Sequence, residues 1–287
     1  MPEFKKNLAL TIILLLAGCQ FPATQEKFAA IQNSKFLESQ GWKYWEKRHQ
    51  ENQARMAYTF FKRAAEVDFD NQELMVQYSR ACYFIGHYIE NDPALKDSLF
   101  REGLTAGKTA LYLSPVFSAA FENANGDTNL REIAAISAAP PELIDALFWW
   151  SANLGRYMAY KPAISRIKYQ EHIETTLHRI LALKPDYYYG AAYRFFGALY
   201  ARIPGIELSR SKDYFDLAVA KHPEYLGTYT LRAEFYHTKA GNREQFHRDL
   251  VKVIESNPTV LPDVMAENMF EQEYARRLLE REHLLFE

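Results

Sequence analysis

Residues 193–223 run YRFFGALYARIPGIELSRSKDYFDLAVAKHP, and two helical faces can be picked out of them. Tyr193, Phe196, Gly197 and Tyr200 stand at offsets 0, 3, 4 and 7, which is one side of a 3.6-residue turn. Ser211, Phe215 and Ala218 follow at spacings of four and three on a second helix. Pro223 ends that helix, since proline has no amide hydrogen and clashes with the preceding turn. On the first helix Gly197 lies between bulky rings, where a missing side chain allows close approach of the second. The stretch predicts a helical hairpin.

The same pattern extends outward in both directions. Faces spaced like that of the second helix occur at Ala57/Phe61/Ala64, Gly103/Gly107/Ala110, Ile173/Leu177/Ile180 and Phe246/Leu250/Val253, each running into a proline or, after Ala64, into Phe69. Partner faces occur at Tyr78/Ala81/Cys82/Ile85, Trp150/Asn153/Leu154/Tyr157 and Tyr229/Arg232/Ala233/Tyr236. The terminating prolines at 185, 223 and 258 lie 38 and 35 residues apart, and 115 to 185 spans 70. Such a period, with a large-small-aromatic first helix and a small-bulky-small second one, resembles the tetratricopeptide repeat. The expected fold is all-α, a tetratricopeptide-like helical-hairpin array (an α-solenoid) over residues 34–287. Paired helices are expected from about Ser34 to Asn257, and an amphipathic helix from about Met265 to Leu285 should cap the open end. The connection from Ser114 to Pro141 is long enough to hold a short helix begun by Asp127 or Thr128.

Before the array, Lys5 and Lys6 precede an apolar run from Leu8 to Ala17, which is too short for a permanent membrane span and suits a signal peptide over residues 1–18. Leu16-Ala17-Gly18-Cys19 resembles a bacterial lipobox, so Cys19 is the expected lipidation site and mature N-terminus, with residues 19–33 as a tether. Gln20, not aspartate, suggests sorting to the outer membrane with the body facing the periplasm. Beyond Cys19 the chain has one more cysteine, Cys82, so no internal disulfide is expected and packing must hold the fold. A formal net charge of −2, with no basic stripe, argues against nucleic acid.

Catalytic patterns are not found in the sequence: no HExxH, CxxC, phosphate loop or GxSxG. His172 and His178 are six apart and point to different sides of a helix, which makes a poor metal pair. Glu171 and Glu174 suit a solvated face, His87 and His237 suit capping or packing, and Asp68 and Asp70 suit a turn. No cofactor, no metal and no catalytic residue is expected.

Aromatic density in the middle of the chain is the strongest candidate signal. Leu147-Phe148-Trp149-Trp150, Tyr157, Tyr160, Tyr187-Tyr188-Tyr189, Tyr193, Phe195-Phe196 and Tyr200 supply more rings than one helix face can hold. A cavity lined by Trp149, Trp150, Tyr157, Tyr160, Phe195 and Tyr200, with Asn153 and Arg194 as polar groups, would suit an apolar ligand bearing one acidic or hydroxyl group. The competing explanation is repeat core together with an oligomer face.

The segment Ala146-Leu147-Phe148-Trp149-Trp150-Ser151-Ala152-Asn153, the later Gly197-Ala198-Leu199-Tyr200-Ala201 with Pro204-Gly205, the run Ser211 to Pro223, and Glu267-Asn268 before Arg276-Arg277-Leu278-Leu279 resemble the TatT family, lipoproteins associated with tripartite ATP-independent periplasmic (TRAP) transporters. The resemblance implies a non-enzymatic accessory component of solute uptake, often trimeric, with a pore-like cavity in each protomer. Its implied partners are a periplasmic solute-binding protein and a small hydrophobic solute such as an organic acid or lipid. The alternative is a tetratricopeptide scaffold lipoprotein that assembles envelope complexes without a small ligand; an enzyme acting on envelope polymers ranks behind both.

Overall fold

The structure is a computed structural model and describes residues 23–159 and 161–287. Cys19, the apolar run before it and Tyr160 lie outside the described residues. All regular structure among the described residues is helical. In chain order it comprises α1 (Ala23–Trp45), α2 (Glu51–Val67), α3 (Gln72–Phe84) continued by a π-helical segment π1 (Ile85–Ile89), α4 (Pro93–Tyr112), α5 (Pro115–Asn123), α6 (Thr128–Ala138), α7 (Ile144–Ala159), α8 (Ala163–Leu183), α9 (Tyr187–Tyr200) and α10 (Leu208–Lys221). Then come α11 (Gly227–Leu231), continued by π2 (Arg232–His237), α12 (Arg243–Glu255), α13 (Met265–Glu280) and the single turn Glu282–Leu285. None of these helices is long and apolar enough to cross a membrane.

Helix starts follow from local chemistry. Side chains of Asn71, Asp92, Ser114 and Asp127 accept from amides in the first turns of α3, α4, α5 and α6, at 3.1 Å from Leu74, 2.8 Å from Ala94, 3.5 Å from Phe117 and 3.0 Å from Leu130. Pro93 and Pro115 occupy first-turn positions where no amide is needed. The connection expected between Ser114 and Pro141 thus holds two short helices, with Asp127 the cap of the second. Residues 23–33, expected as tether, form the first turns of α1; alanine, glutamine, glutamate and lysine in this stretch favour that state.

The hairpins pack as α1 on α2, α3 on α4, α7 on α8 and α9 on α10. Every residue of the five repeating faces is buried, from Ala57, Phe61 and Ala64 to Phe246, Leu250 and Val253. At Gly197 an added Cβ would come within 2.7 Å of the Phe215 ring; the first helix of this hairpin has room for hydrogen only, as its spacing suggested.

The C-terminal helix does more than cap. α13 packs on α12 and α11 but also reaches π1, and its Phe270 ring lies edge-on to Phe84 at 5.6 Å and stacked on Tyr88 at 5.7 Å. Glu267 and Glu271 are 3% exposed; they meet groups of the N-terminal hairpins, Glu267 receiving Arg48 and Glu271 receiving Tyr88. The array therefore closes on itself, because the buried carboxylates of α13 find their partners roughly 200 residues earlier in the chain.

Candidate functional site

α7 lies at the centre of this arrangement. It is apolar on nearly every side, as a helix surrounded by others must be, and Ala146 through Leu154 are all buried. Successive rings therefore serve different neighbours. Trp150 turns to α4, where its Cα is 2.9 Å from the place a Gly107 Cβ would take. Phe148 stacks on Phe195 at 5.5 Å and meets Tyr188 at 5.2 Å, while Trp149 meets Tyr83 at 5.7 Å and Tyr188 at 5.4 Å. Asn153 is wholly buried and ties helices together, its Nδ2 donating to the Ser79 carbonyl at 3.0 Å, Ser79 Oγ at 3.1 Å and the Trp149 carbonyl at 2.9 Å.

Two cavities adjoin this helix. The outer one has a volume of about 150 Å³ and opens between α7, the start of α8 and the end of α9. Its floor is apolar, with Met158, Ile173, Phe195, Leu199 and Leu231 among the lining groups. Among the described residues its charged lining groups are Arg156, Arg166 and Arg202, with no aspartate or glutamate. Gly155 also lines it, and a Cβ built there would meet nothing within 4 Å. The inner cavity, of about 20 Å³ and so large enough for about one water, lies among Arg80, Trp149, Tyr188, Arg194, Glu267 and Glu271. Tyr83, Phe195 and Leu231 line both and form the partition between them.

The partition and inner wall are held by buried polar groups. Glu267 Oε2 accepts from Arg48 Nη2 at 2.8 Å, and its Oε1 lies 3.6 Å from Arg80 Nη2 and 3.3 Å from the Tyr188 hydroxyl, which donates to it. Arg80 is sandwiched by rings, its Cζ 5.0 Å from the Trp45 centroid and 5.2 Å from that of Trp149. Tyr188, Tyr189 and Gly190 have φ of 43°, 56° and 67°, a left-handed turn that costs each tyrosine on the order of 1–2 kcal/mol. Arg194 offsets that cost. Its Nη1 donates to the carbonyls of Tyr188 and Tyr189 at 2.9 and 2.8 Å while its guanidinium lies 4.2 Å from the Tyr225 centroid.

Burial sets the charges here. It pushes the His87 imidazole well below its usual value, helped by the nearby cations Arg156, Lys96 and Arg277. The ring is therefore neutral and its Nε2 accepts from Arg156 Nη2 at 3.1 Å; its 3.9 Å approach to Glu271 is then no ion pair. Burial likewise raises Glu271, against the hydrogen bonds that Thr230 and Tyr88 donate to it.

Three of the sequence candidates, Trp149, Arg194 and Phe195, come together at these cavities. Trp150 and Asn153 face α4 instead. Tyr200 packs on Phe196 and Tyr214 at 5.4 and 5.6 Å, and Tyr157 lies under the Lys161 ammonium at 4.2 Å. The outer pocket's arginines were missed, although Gly155-Arg156 carried a signal, since a glycine in a helix interior needs a packing or functional reason. No group of three or more His, Cys, Asp or Glu able to hold a metal occurs among the described residues.

No curated protein matches the chain. Residues 96–286, which include α7, α13 and every residue lining the outer pocket except Tyr83, match the family described as the TRAP transporter T-component, TAtT, and the chain belongs to that family, an accessory component of TRAP transport.

Proposed function

We propose that this T-component binds a small, partly apolar solute in the outer pocket and passes it to or from a periplasmic solute-binding protein of the TRAP system. The observation that carries this is the 150 Å³ pocket itself, largely apolar and walled by arginines on three separate segments. Trp149, Phe195 and Arg194 act on this reading as inner wall and support; Trp150, Asn153 and Tyr200 hold the helices that shape it. Gly155 supplies the test. Gly155→Leu places a side chain in open space, so the variant is expected to fold while its pocket is filled. Full-length protein purified from native membranes should carry an extractable small molecule that the Gly155→Leu protein lacks, and cross-linking in those membranes should recover a solute-binding protein. Identical extracts from both proteins, with only outer-membrane assembly factors cross-linked, would end the proposal in favour of a scaffold.

We place the chain on the periplasmic side of the outer membrane, held through a lipid on Cys19; the apolar run ending in Leu16-Ala17-Gly18-Cys19 supports this. Cells fed a fatty-acid analogue should label the full chain, and Cys19→Ala should abolish the label. Label that survives the substitution would remove the anchor. A homotrimer is the assembly that the family suggests, and it leaves the pocket argument unchanged.

A further inference from the structure

The rim of the outer pocket differs in character from its floor. Residues 156–170, the end of α7 and the start of α8, carry Arg156, Lys161, Arg166 and Lys168, with no acid before Glu171. Residues 198–206 carry Arg202, with no acid before Glu207. Lys161 is paired with Asp97 at 2.5 Å, whereas Arg166 and Lys168 are exposed and meet no carboxylate among the described residues. Among these cations stand Ile164 and Ile167, 80% and 64% exposed, one helical turn apart and so on one face. Arg166, Ile167, Ile203 and Pro204 also line the pocket, so a macromolecule that exchanges solute through its mouth has to cover this rim. Two bare isoleucines stabilise a complex when they are taken out of water, and the cations around them select a partner of opposite sign.

Position decides between a bilayer and a protein as that partner. Ser34 Oγ donates to the Ala64 carbonyl at 3.4 Å and Gln72 Nε2 to the Ala110 carbonyl at 2.8 Å; Gly107 of α4 lies against Trp150 of α7, and the Tyr187 hydroxyl donates to Asp145. The α1 residues before Ser34, the turn from α2 to α3, the end of α4 and the start of α7 therefore share one end of the hairpins. The rim is at the other end, about 30 Å away along the 21 residues of α8, where Arg202 reaches the Ala159 carbonyl. Cys19 precedes Ala23 by four residues, a reach of about 14 Å, so a lipid there holds the first end to the membrane and turns the rim toward the periplasm. Resting on the carrier reading and on that anchor, we infer that the rim formed by Ile164, Ile167, Arg166, Lys168 and Arg202 is the docking surface for the solute-binding protein, and that the face it receives is acidic around a small apolar centre.

A photo-cross-linking phenylalanine derivative in place of Ile167 of the full chain, in native membranes, is expected to capture a solute-binding protein, identified by mass spectrometry. The same derivative in place of Phe69, 62% exposed at the opposite end, is expected not to. The captured protein, purified, is then titrated against the detergent-solubilised full chain. Wild type is expected to lose affinity about tenfold as salt rises from about 50 to about 500 mM. Arg166→Glu with Lys168→Glu is expected to slow association about tenfold at low salt without moving the melting midpoint, since both side chains are in water. Ile167→Ser is expected to speed dissociation, and Gly155→Leu, which fills the pocket beneath the rim, to keep the affinity. An affinity indifferent to salt and to charge reversal overturns the acidic face. Capture from position 69 and not from 167 overturns the surface and leaves the carrier reading intact. Binding to phosphatidylglycerol vesicles that charge reversal abolishes, with no protein captured at 167, makes the rim a lipid contact and overturns the surface as well. If a general cross-linker also recovers no solute-binding protein from wild-type membranes, the carrier reading falls with it.

Discussion

Glu267→Ala is expected to lower the unfolding free energy by about 3–5 kcal/mol, the usual cost of removing one partner from a buried ion pair. The Glu267 side chain is 4% exposed and that of Arg48 10%, so bulk water does not reach the pair, and Glu271, the other acid of the inner cavity, is already engaged by Tyr88 and Thr230. Arg48 would keep its bonds to the Trp45 and Asp263 carbonyls, yet its charge, and that of Arg80, would remain in a largely apolar surrounding without a counter-ion. Total stabilities of 5–15 kcal/mol make this a large fraction of the whole, and the midpoint of thermal unfolding should fall by on the order of 10 °C. Urea melts of wild type, Glu267→Ala, Arg48→Ala and the double variant would measure the coupling, expected to exceed about 2 kcal/mol. A coupling below about 0.5 kcal/mol would mean that α13 is held to the N-terminal hairpins by Phe270 on Phe84 and Tyr88 and by the Tyr88–Glu271 hydrogen bond, without help from the ion pair.

That pair also marks where the sequence stops being informative. The hairpins were legible because their signal is local: Tyr193, Phe196, Gly197 and Tyr200 identify one helix face within eight residues, and all but Tyr193 prove buried. Glu267 and Glu271 read as ordinary polar positions of an amphipathic helix, since nothing nearby in the chain tells that Arg48 and Tyr88 will meet them. Closure of the array was therefore out of reach, and α13 was expected only to cover an end. The aromatic cluster was legible as excess but not as direction. Phe148, Trp149 and Trp150 are consecutive, and their division between the inner chamber, which the first two line, and the α4 contact of the third depends on where the other helices stand. The left-handed turn at Tyr188 and Tyr189 could not be read either, because tyrosine has no preference for positive φ and Arg194 imposes the turn through two backbone carbonyls. Arg156, Arg166 and Arg202 stay unremarkable in a list of basic residues until the fold gathers them round one cavity.

Gly107 and Gly155 give the second large effect, as a contrast of sign within one helix packing. Both are helix-interior glycines, and propensity alone would reward alanine at either by about 0.5–1 kcal/mol. At Gly155 nothing lies within 4 Å of an added Cβ, so Gly155→Ala should realise that gain. At Gly107 the Cβ would stand 2.9 Å from the Trp150 Cα and Cβ and 3.0 Å from Ser79 Oγ. Trp150 Cα is backbone and cannot rotate away, so α4 and α7 must separate. Their separation strains the hydrogen bonds that join Ser79 to Asn153 and to the Gly103 carbonyl at 2.7 Å, buried groups whose loss costs about 1–3 kcal/mol beyond the overpacking itself. Gly107→Ala should therefore destabilise by about 1–2 kcal/mol, and Gly107→Leu by about 3–5 kcal/mol. The shift should also reach function, because the face of α7 opposite Trp150 carries the pocket wall. The amount of small molecule extracted with the protein from native membranes is expected to drop in Gly107→Ala although that residue lines neither cavity, and to be kept in Gly155→Ala, whose single methyl leaves most of the pocket open. If both alanine variants gain stability, α4 and α7 do not approach as described, and the positions of Trp149 and Trp150 would have to be exchanged between cavity and core.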